Sequence, residues 1–209
     1  MTKQDKALEI MRRLYKATPR PEVELHFSTP FELLVATMLA AQCTDKLVNT
    51  VTPALFSKYK AIKSFADASV ADIDAMITKI NFHSNKAKNI QAAAAMIMDC
   101  FHGAVPKTME ELDALPGVAR KTANVVLGSA FGIAEGIVID THGIRLSNKL
   151  GLTTEKDPVK IEQDLMKLIP KENWIDFGHL LTLHGRYVCT ARPHSCENCP
   201  LGDLCPNLL

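Results

Sequence analysis

Four cysteines stand near the C-terminus, Cys189, Cys196, Cys199 and Cys205, spaced C-x6-C-x2-C-x5-C. Thiolates so close in sequence can wrap one soft metal centre, and Arg192, Pro193, Pro200 and Gly202 suit the winding loop this needs. Three readings compete. Two disulfides require an oxidising compartment. Structural zinc usually shows two C-x2-C knuckles, and only one is present. A [4Fe–4S] cluster accepts uneven arms, because its irons sit at the corners of a larger object. The spacing favours iron–sulfur over zinc. Cys43 and Cys100 lie in apolar helical stretches and read as buried thiols.

A second group centres on the segment Leu112 to Ala123, which joins two short helices through the apolar turn Leu115-Pro116-Gly117-Val118. Leu115 and Val118 pack the turn, and Gly117 lets the backbone bend and approach a partner. The free N–H groups of the following helix form an anion site that suits a backbone phosphate without base specificity. The bland alternative is an ordinary helical hairpin. Lys121, beside Arg120, is either a solvated or phosphate-touching lysine or a nucleophilic amine. A flanking cation and a helix N-terminus both disfavour the charged form, which suits the second role. Asp140 precedes Thr141-His142 and is either a helix N-cap or a carboxylate that opposes a developing positive charge or moves a proton.

The elements that must position these residues are helices. Thr29-Pro30-Phe31-Glu32 predicts a capping box and a helix through Ala41, and Thr44 caps the next. Ser84 opens a helix through Cys100, and Thr108 to Glu111 is a second capping box before a short helix ending near Leu115. Arg120–Ala130, a helix from Asp157-Pro158 and Trp174–Tyr187 follow by the same logic. Only Ile137-Val138-Ile139 looks strand-like, and it is too short for a sheet. The fold class is all-α. Apolar residues make up 47% of the chain and charged residues 22%, which excludes a disordered or collagen-like chain. A net charge of +1 leaves any nucleic-acid partner to local motifs. No apolar run reaches the roughly 20 residues of a membrane span. Met1–Lys16 has no apolar core of a secretory signal, so a reducing compartment is expected.

Together these pieces resemble the endonuclease III family of helix-hairpin-helix DNA glycosylases. The likeness rests on Ala41-Gln42-Cys43-Thr44-Asp45, Leu115 to Asn124, Ile139-Asp140-Thr141-His142, Leu183-His184-Gly185-Arg186 and the four cysteines, in this order over nearly the whole chain. The resemblance implies a six-helix barrel over 23–133 that contains the helix-hairpin-helix at about 108–127. It implies a second α domain from 1–22 with 134–209, carrying a structural [4Fe–4S] cluster in the loop 189–205, with DNA across the cleft between domains. It also implies a bifunctional glycosylase and AP lyase, monomeric and in the bacterial cytoplasm at the nucleoid. The partner would be double-stranded DNA with damaged pyrimidines or abasic sites, and no membrane. Lys121 would be the nucleophile, Asp140 the catalytic carboxylate, and Gln42 a side chain that fills the gap left by a flipped nucleotide. Gly117, Ala119 and Arg120 would line the phosphate site.

Three departures from the family pattern stand out. Ala119 occupies the hairpin's second glycine position, tolerable if it has already entered the helix. Asn81 replaces a glycine and is the residue expected in left-handed geometry. Phe82 replaces an aliphatic wedge and is read either as a wedge into the base stack or as core, and His83-Ser84-Asn85 follows it. Two rival functions remain open at this point. A monofunctional glycosylase of the mismatch-adenine type typically lacks a lysine at the hairpin. A non-catalytic iron–sulfur protein that binds DNA or carries electrons would need neither Lys121 nor Asp140.

Overall fold

The computed structural model describes residues 1–206, and every regular element among them is helical. The chain divides into two compact units, one continuous over Glu24–Ile133 and one built from Met1–Val23 with Ala134–Leu209.

In the second of these, α1 (Lys3–Ala17) opens on a capping box between Thr2 and Asp5 and buries Ala7, Ile10 and Leu14. That apolar stripe, one side of a helix whose other faces are charged, is what lets α1 pack on two helices from the far end of the sequence.

The continuous unit is organised around α2 (Pro30–Ala40), which buries every residue from Phe31 to Leu39 except half-exposed Glu32. A helix apolar all round must lie inside, and α2 touches α3 (Asp45–Lys58) and two later helices. Its start follows the cap logic: Thr29 Oγ1 accepts from the Glu32 N–H, and Pro30 takes the first position. The Glu32 carboxylate accepts instead from the Ser28 N–H at 2.6 Å, one residue before the cap. Short helices α4 (Ile62–Ala66) and α5 (Val70–Met76) lie on α6 (His83–Cys100). α7 (Met109–Asp113) and α8 (Arg120–Phe131) form the hairpin, with α8 packed on α2. Fully buried Leu34 sits in this core, where truncation to alanine would cost about 2–5 kcal/mol.

Two expectations are corrected here. α6 opens at His83, because Phe82 adopts a left-handed φ of 58° and supplies no side-chain cap, while Ser84 Oγ donates to the Asp74 carboxylate at 3.3 Å. Cys100 is exposed and Cys43 half-buried, so neither is a fully buried thiol; Cys100 is the last residue of α6 and faces away from the packed side.

In the other unit α9 (Thr141–Lys149) packs on α11 (Trp174–Tyr187), and α10 (Pro158–Leu168) touches α1 and α9. The apolar run Ile137 to Ile139 pairs with no strand among the described residues. Its backbone is pressed onto α11 at Gly178, where a Cβ would lie 3.0 Å from the Val138 nitrogen and 3.2 Å from its oxygen. Arg13 donates to the Asp203 carboxylate and, at 3.1 Å, to the Pro200 carbonyl, which ties α1 to the cysteine segment. Among the described residues no helix is long and apolar enough to cross a membrane.

Candidate functional site

The hairpin between α7 and α8 is closed by backbone bonds from Leu115 N–H to Leu112 and from Val118 N–H to Leu115, both 3.1 Å, over buried Leu115 and Val118. Gly117 has φ +75°, and a Cβ there would fall 2.7 Å from the Cβ of Asn89 on α6. Glycine is therefore required twice, by conformation and by space. Ala119 is the N-cap of α8, with φ −118° and ψ 165°, and has not entered the helix. The expected reason for its tolerance is corrected: this is ordinary extended backbone, open to any residue. Alanine carries no acceptor, so the N-cap side chain makes no cap bond to α8. The positive end of the helix dipole there favours an anion. Lys121 is exposed on that first turn, next to half-buried Arg120.

In its own unit, Asp140 is the N-cap of α9. Its Oδ1 accepts from the N–H groups of His142 at 2.9 Å and Gly143 at 2.8 Å. One oxygen serves both bonds, so the cap orients the carboxylate without using Oδ2. α11 reaches this end of α9 at Gly185, where a Cβ would lie 2.7 Å from His142 Cβ.

Gln42 and Phe82 come together through Asn81. Both have φ 58°, the only non-glycine residues besides His102 with positive φ among those described, and both are exposed. Phe82, at 62% exposure, is not a core residue. The left-handed residue of this loop is Phe82 and not Asn81, because Asn81 is occupied as a tie: its Nδ2 donates to the Gln42 carbonyl at 2.8 Å and its N–H to Cys43 Sγ at 3.3 Å. Sequence reasoning missed Lys86. Its buried Nζ donates to the carbonyls of Leu39 at 2.9 Å and Ala41 at 2.6 Å, with Cys43 Sγ at 3.9 Å. Burial holds the Lys86 ammonium below the usual lysine range, with Cys43 opposing that shift. The only signal available was a lysine inside the apolar face of an amphipathic helix.

The four tail cysteines are free thiols, Cys189 buried and the others half-buried. Burial pushes the Cys199 thiol up, a backbone hydrogen bond from Leu201 opposes it, and the charges of Cys189, Cys196 and Cys205 add to the rise. Among the described residues no three His, Cys, Asp or Glu side chains converge closely enough to grip one metal ion. Lys149 Nζ donates to Cys189 Sγ at 3.4 Å, and Arg145 donates to the carbonyls of Gly185 and Cys189 at 2.8 and 2.5 Å. His184 Nε2 lies 3.8 Å from Cys199 Sγ. Burial first, then the charges of Arg145, His194 and Lys149, push the His184 ring down to about 4. An all-thiol donor set in a cationic surround is chemically suited to a soft, anionic iron–thiolate group.

Comparison with known proteins adds the family. Residues 35–171 match the HhH-GPD superfamily of base excision DNA repair proteins. Endonuclease III of Synechocystis sp. is 51% identical over 206 residues, covering 99% of this chain and 94% of that protein. Endonuclease III of Escherichia coli K12 is 41% identical over 200 residues, covering 96% and 94%. A solved structure of a trapped endonuclease III–DNA covalent intermediate, an estranged-adenine complex, superposes with a TM-score of 0.93 at 42% identity, over 99% of this chain and 96% of that one. A thermostable thymine-DNA glycosylase shares the fold, with a TM-score of 0.83 at 22% identity. The chain therefore belongs to the endonuclease III family of HhH-GPD base excision DNA repair proteins.

Proposed function

We propose that the protein is a bifunctional DNA glycosylase and AP lyase. It releases oxidised pyrimidines from duplex DNA and cuts 3′ to the abasic site by β-elimination through a lysine Schiff base. The observation that carries this reading is the likeness to a covalently trapped endonuclease III–DNA complex in a chain that presents Lys121 on the first turn after its hairpin.

Turning a base out of the stack costs a few kcal/mol, less where a lesion already weakens pairing. Lys121, as its free amine, attacks the sugar C1′ while the glycosidic bond breaks and the base leaves with the bonding electrons. Asp140 opposes the positive charge that develops on the sugar, and its backbone-oriented carboxylate with one oxygen outside the cap supports that role. Ring opening gives the Schiff base, which acidifies the C2′ proton. Loss of that proton expels the 3′ phosphate. Gln42 fills the gap in the duplex and exposed Phe82 enters the stack opposite. The start of α8 at Ala119 and Arg120, made approachable by Gly117, takes a backbone phosphate.

Cys189, Cys196, Cys199 and Cys205 would hold a [4Fe–4S] cluster, which supplies folding free energy to its unit. Four thiols and no other donor type, with the uneven spacing C-x6-C-x2-C-x5-C, support a four-iron group over one zinc ion. The protein acts as a monomer on double-stranded DNA, at the bacterial nucleoid.

Borohydride reduction in the presence of abasic duplex DNA tests the reading. The parent protein forms a covalent adduct, and Lys121→Ala forms none while still binding. Trapping and nicking by Lys121→Ala at the parent rate would assign the nucleophile to another amine and overturn the mechanism.

A further inference from the structure

Lys86 has no part in the chemistry above, yet it is the buried cation of the continuous unit with the most specific set of partners. An ammonium has three donors. Those of Lys86 go to Leu39 O, Ala41 O and Cys43 Sγ, at the C-terminal end of α2, where carbonyls lack helical partners and a positive charge meets the negative end of the dipole. These contacts bracket Gln42 on both sides. The backbone of Lys86 ties in the second loop, because its N–H donates to the Phe82 carbonyl at 3.1 Å as the first bond of α6. Asn81 completes the frame through the Gln42 carbonyl and the Cys43 sulfur.

Two bulky side chains thus stand in left-handed geometry, an arrangement that persists only when neighbouring bonds over-determine it. Lys86 bonds Phe82 directly through its N–H and holds Gln42 from either side, through the Ala41 carbonyl and the Cys43 sulfur. We propose that Lys86 is a positioning residue that sets Gln42 and Phe82 as a single rigid pair, so that filling the gap and wedging the opposite strand occur in one docking step. This rests on the function proposed above for those two side chains.

The test uses Lys86→Met, which keeps the stem and removes the donors, and Asn81→Ala, which cuts the frame from its exposed side without touching the core. Amide hydrogen exchange in the free protein should quicken by about tenfold at Cys43 and Asn81 in both variants, with Leu34–Ala36 unchanged. Affinity for a duplex carrying a tetrahydrofuran abasic analogue should fall by about tenfold, with affinity for undamaged duplex unchanged. In a Gln42→Ala/Phe82→Ala background the same substitutions should produce no further loss. A merely stabilising lysine would weaken both duplexes alike and would do so in either background, and that result overturns the proposal. So does unchanged exchange at Cys43 and Asn81. If Lys86→Met fails to fold, Asn81→Ala carries the same expectations and the same refutations. A parent protein without preference for the abasic duplex would defeat the proposed function, while exchange in the free protein would still decide the role of Lys86.

Discussion

Alanine in place of Gly117 perturbs the hairpin in two separable ways. The residue has φ +75°, and an L side chain there costs about 1–2 kcal/mol. The added Cβ also falls 2.7 Å from Asn89 Cβ, 2.7 Å from Nδ2 and 2.9 Å from Cγ. Cβ of Asn89 is fixed to the α6 backbone, so the clash cannot be relieved by a rotamer change, and overpacking of this kind costs about 1–3 kcal/mol. Lower chain entropy in the unfolded state returns about 0.4–1 kcal/mol. The expected net loss is about 2–4 kcal/mol. Urea unfolding followed by circular dichroism measures it, and hydrogen exchange at the buried amides Val125–Leu127 assigns it to this unit. Adding Asn89→Ala should recover only about 1 kcal/mol, because Cβ stays and φ stays. The converse change, Ala119→Gly, acts on extended backbone and should cost no more than about 1 kcal/mol, through the unfolded state alone. A Gly117→Ala loss below about 1 kcal/mol, or complete recovery with Asn89→Ala, would show that the left-handed turn is not the constraint described.

Asp140→Asn keeps an oxygen that can accept both N–H bonds of the cap, so stability should change by less than about 1 kcal/mol. Base release from a thymine-glycol duplex should nevertheless fall by about 10²–10³, and nicking of a preformed abasic duplex should be hurt less; unchanged release would make Asp140 a cap only. DNA affinity should fall steeply as salt rises despite the net charge of +1 if phosphates are met, as proposed, by a local patch around Arg120 and Lys121, and a flat log–log plot would count against that face. Tyr15 donates to the Asp176 carboxylate, and burial, then that bond, raise its phenol from the usual 10 to about 12. A raised value stabilises the folded state below pH 10 and is lost as pH climbs through 12, so thermal stability should drop across that window. Tyr15→Phe should lack that component of the drop; identical pH profiles would refute the link.

Cap chemistry is local, and the sequence shows it. Thr29, Thr44, Thr108 and Asp157 each accept from the N–H three residues on, as their positions before helical runs predict. The hairpin was legible for the same reason, since Leu115, Gly117 and Val118 are set by a single turn. What escaped was set by contacts between distant segments. Asn81 looked like the residue for left-handed geometry by type, yet its amide is committed to Gln42, 39 positions away in sequence, and the positive φ passes to Phe82. Lys86 reads as a stray charge until α2 is packed against α6. Phe82 could be wedge or core by composition, and only its 62% exposure separates the two.

The unit that carries the cysteines is assembled from both ends of the polypeptide, and this has a consequence during synthesis. The apolar stripe of α1, Ala7, Ile10 and Leu14, is made first, but its partners α10 and α11 begin only at Pro158 and Trp174. At translation rates of about 5–20 residues per second, roughly 10–30 seconds pass before α10 emerges. Throughout that interval a helix of 15 residues, marginal by itself, waits with its oily side open while Glu24–Ile133 can already collapse. The nascent chain is then a finished ball trailing an unfinished arm, and that arm is the part a ribosome-associated chaperone would have reason to hold. Its closure comes when α11 appears, and Arg13 can reach Pro200 and Asp203 only after the segment that follows α11 has emerged as well.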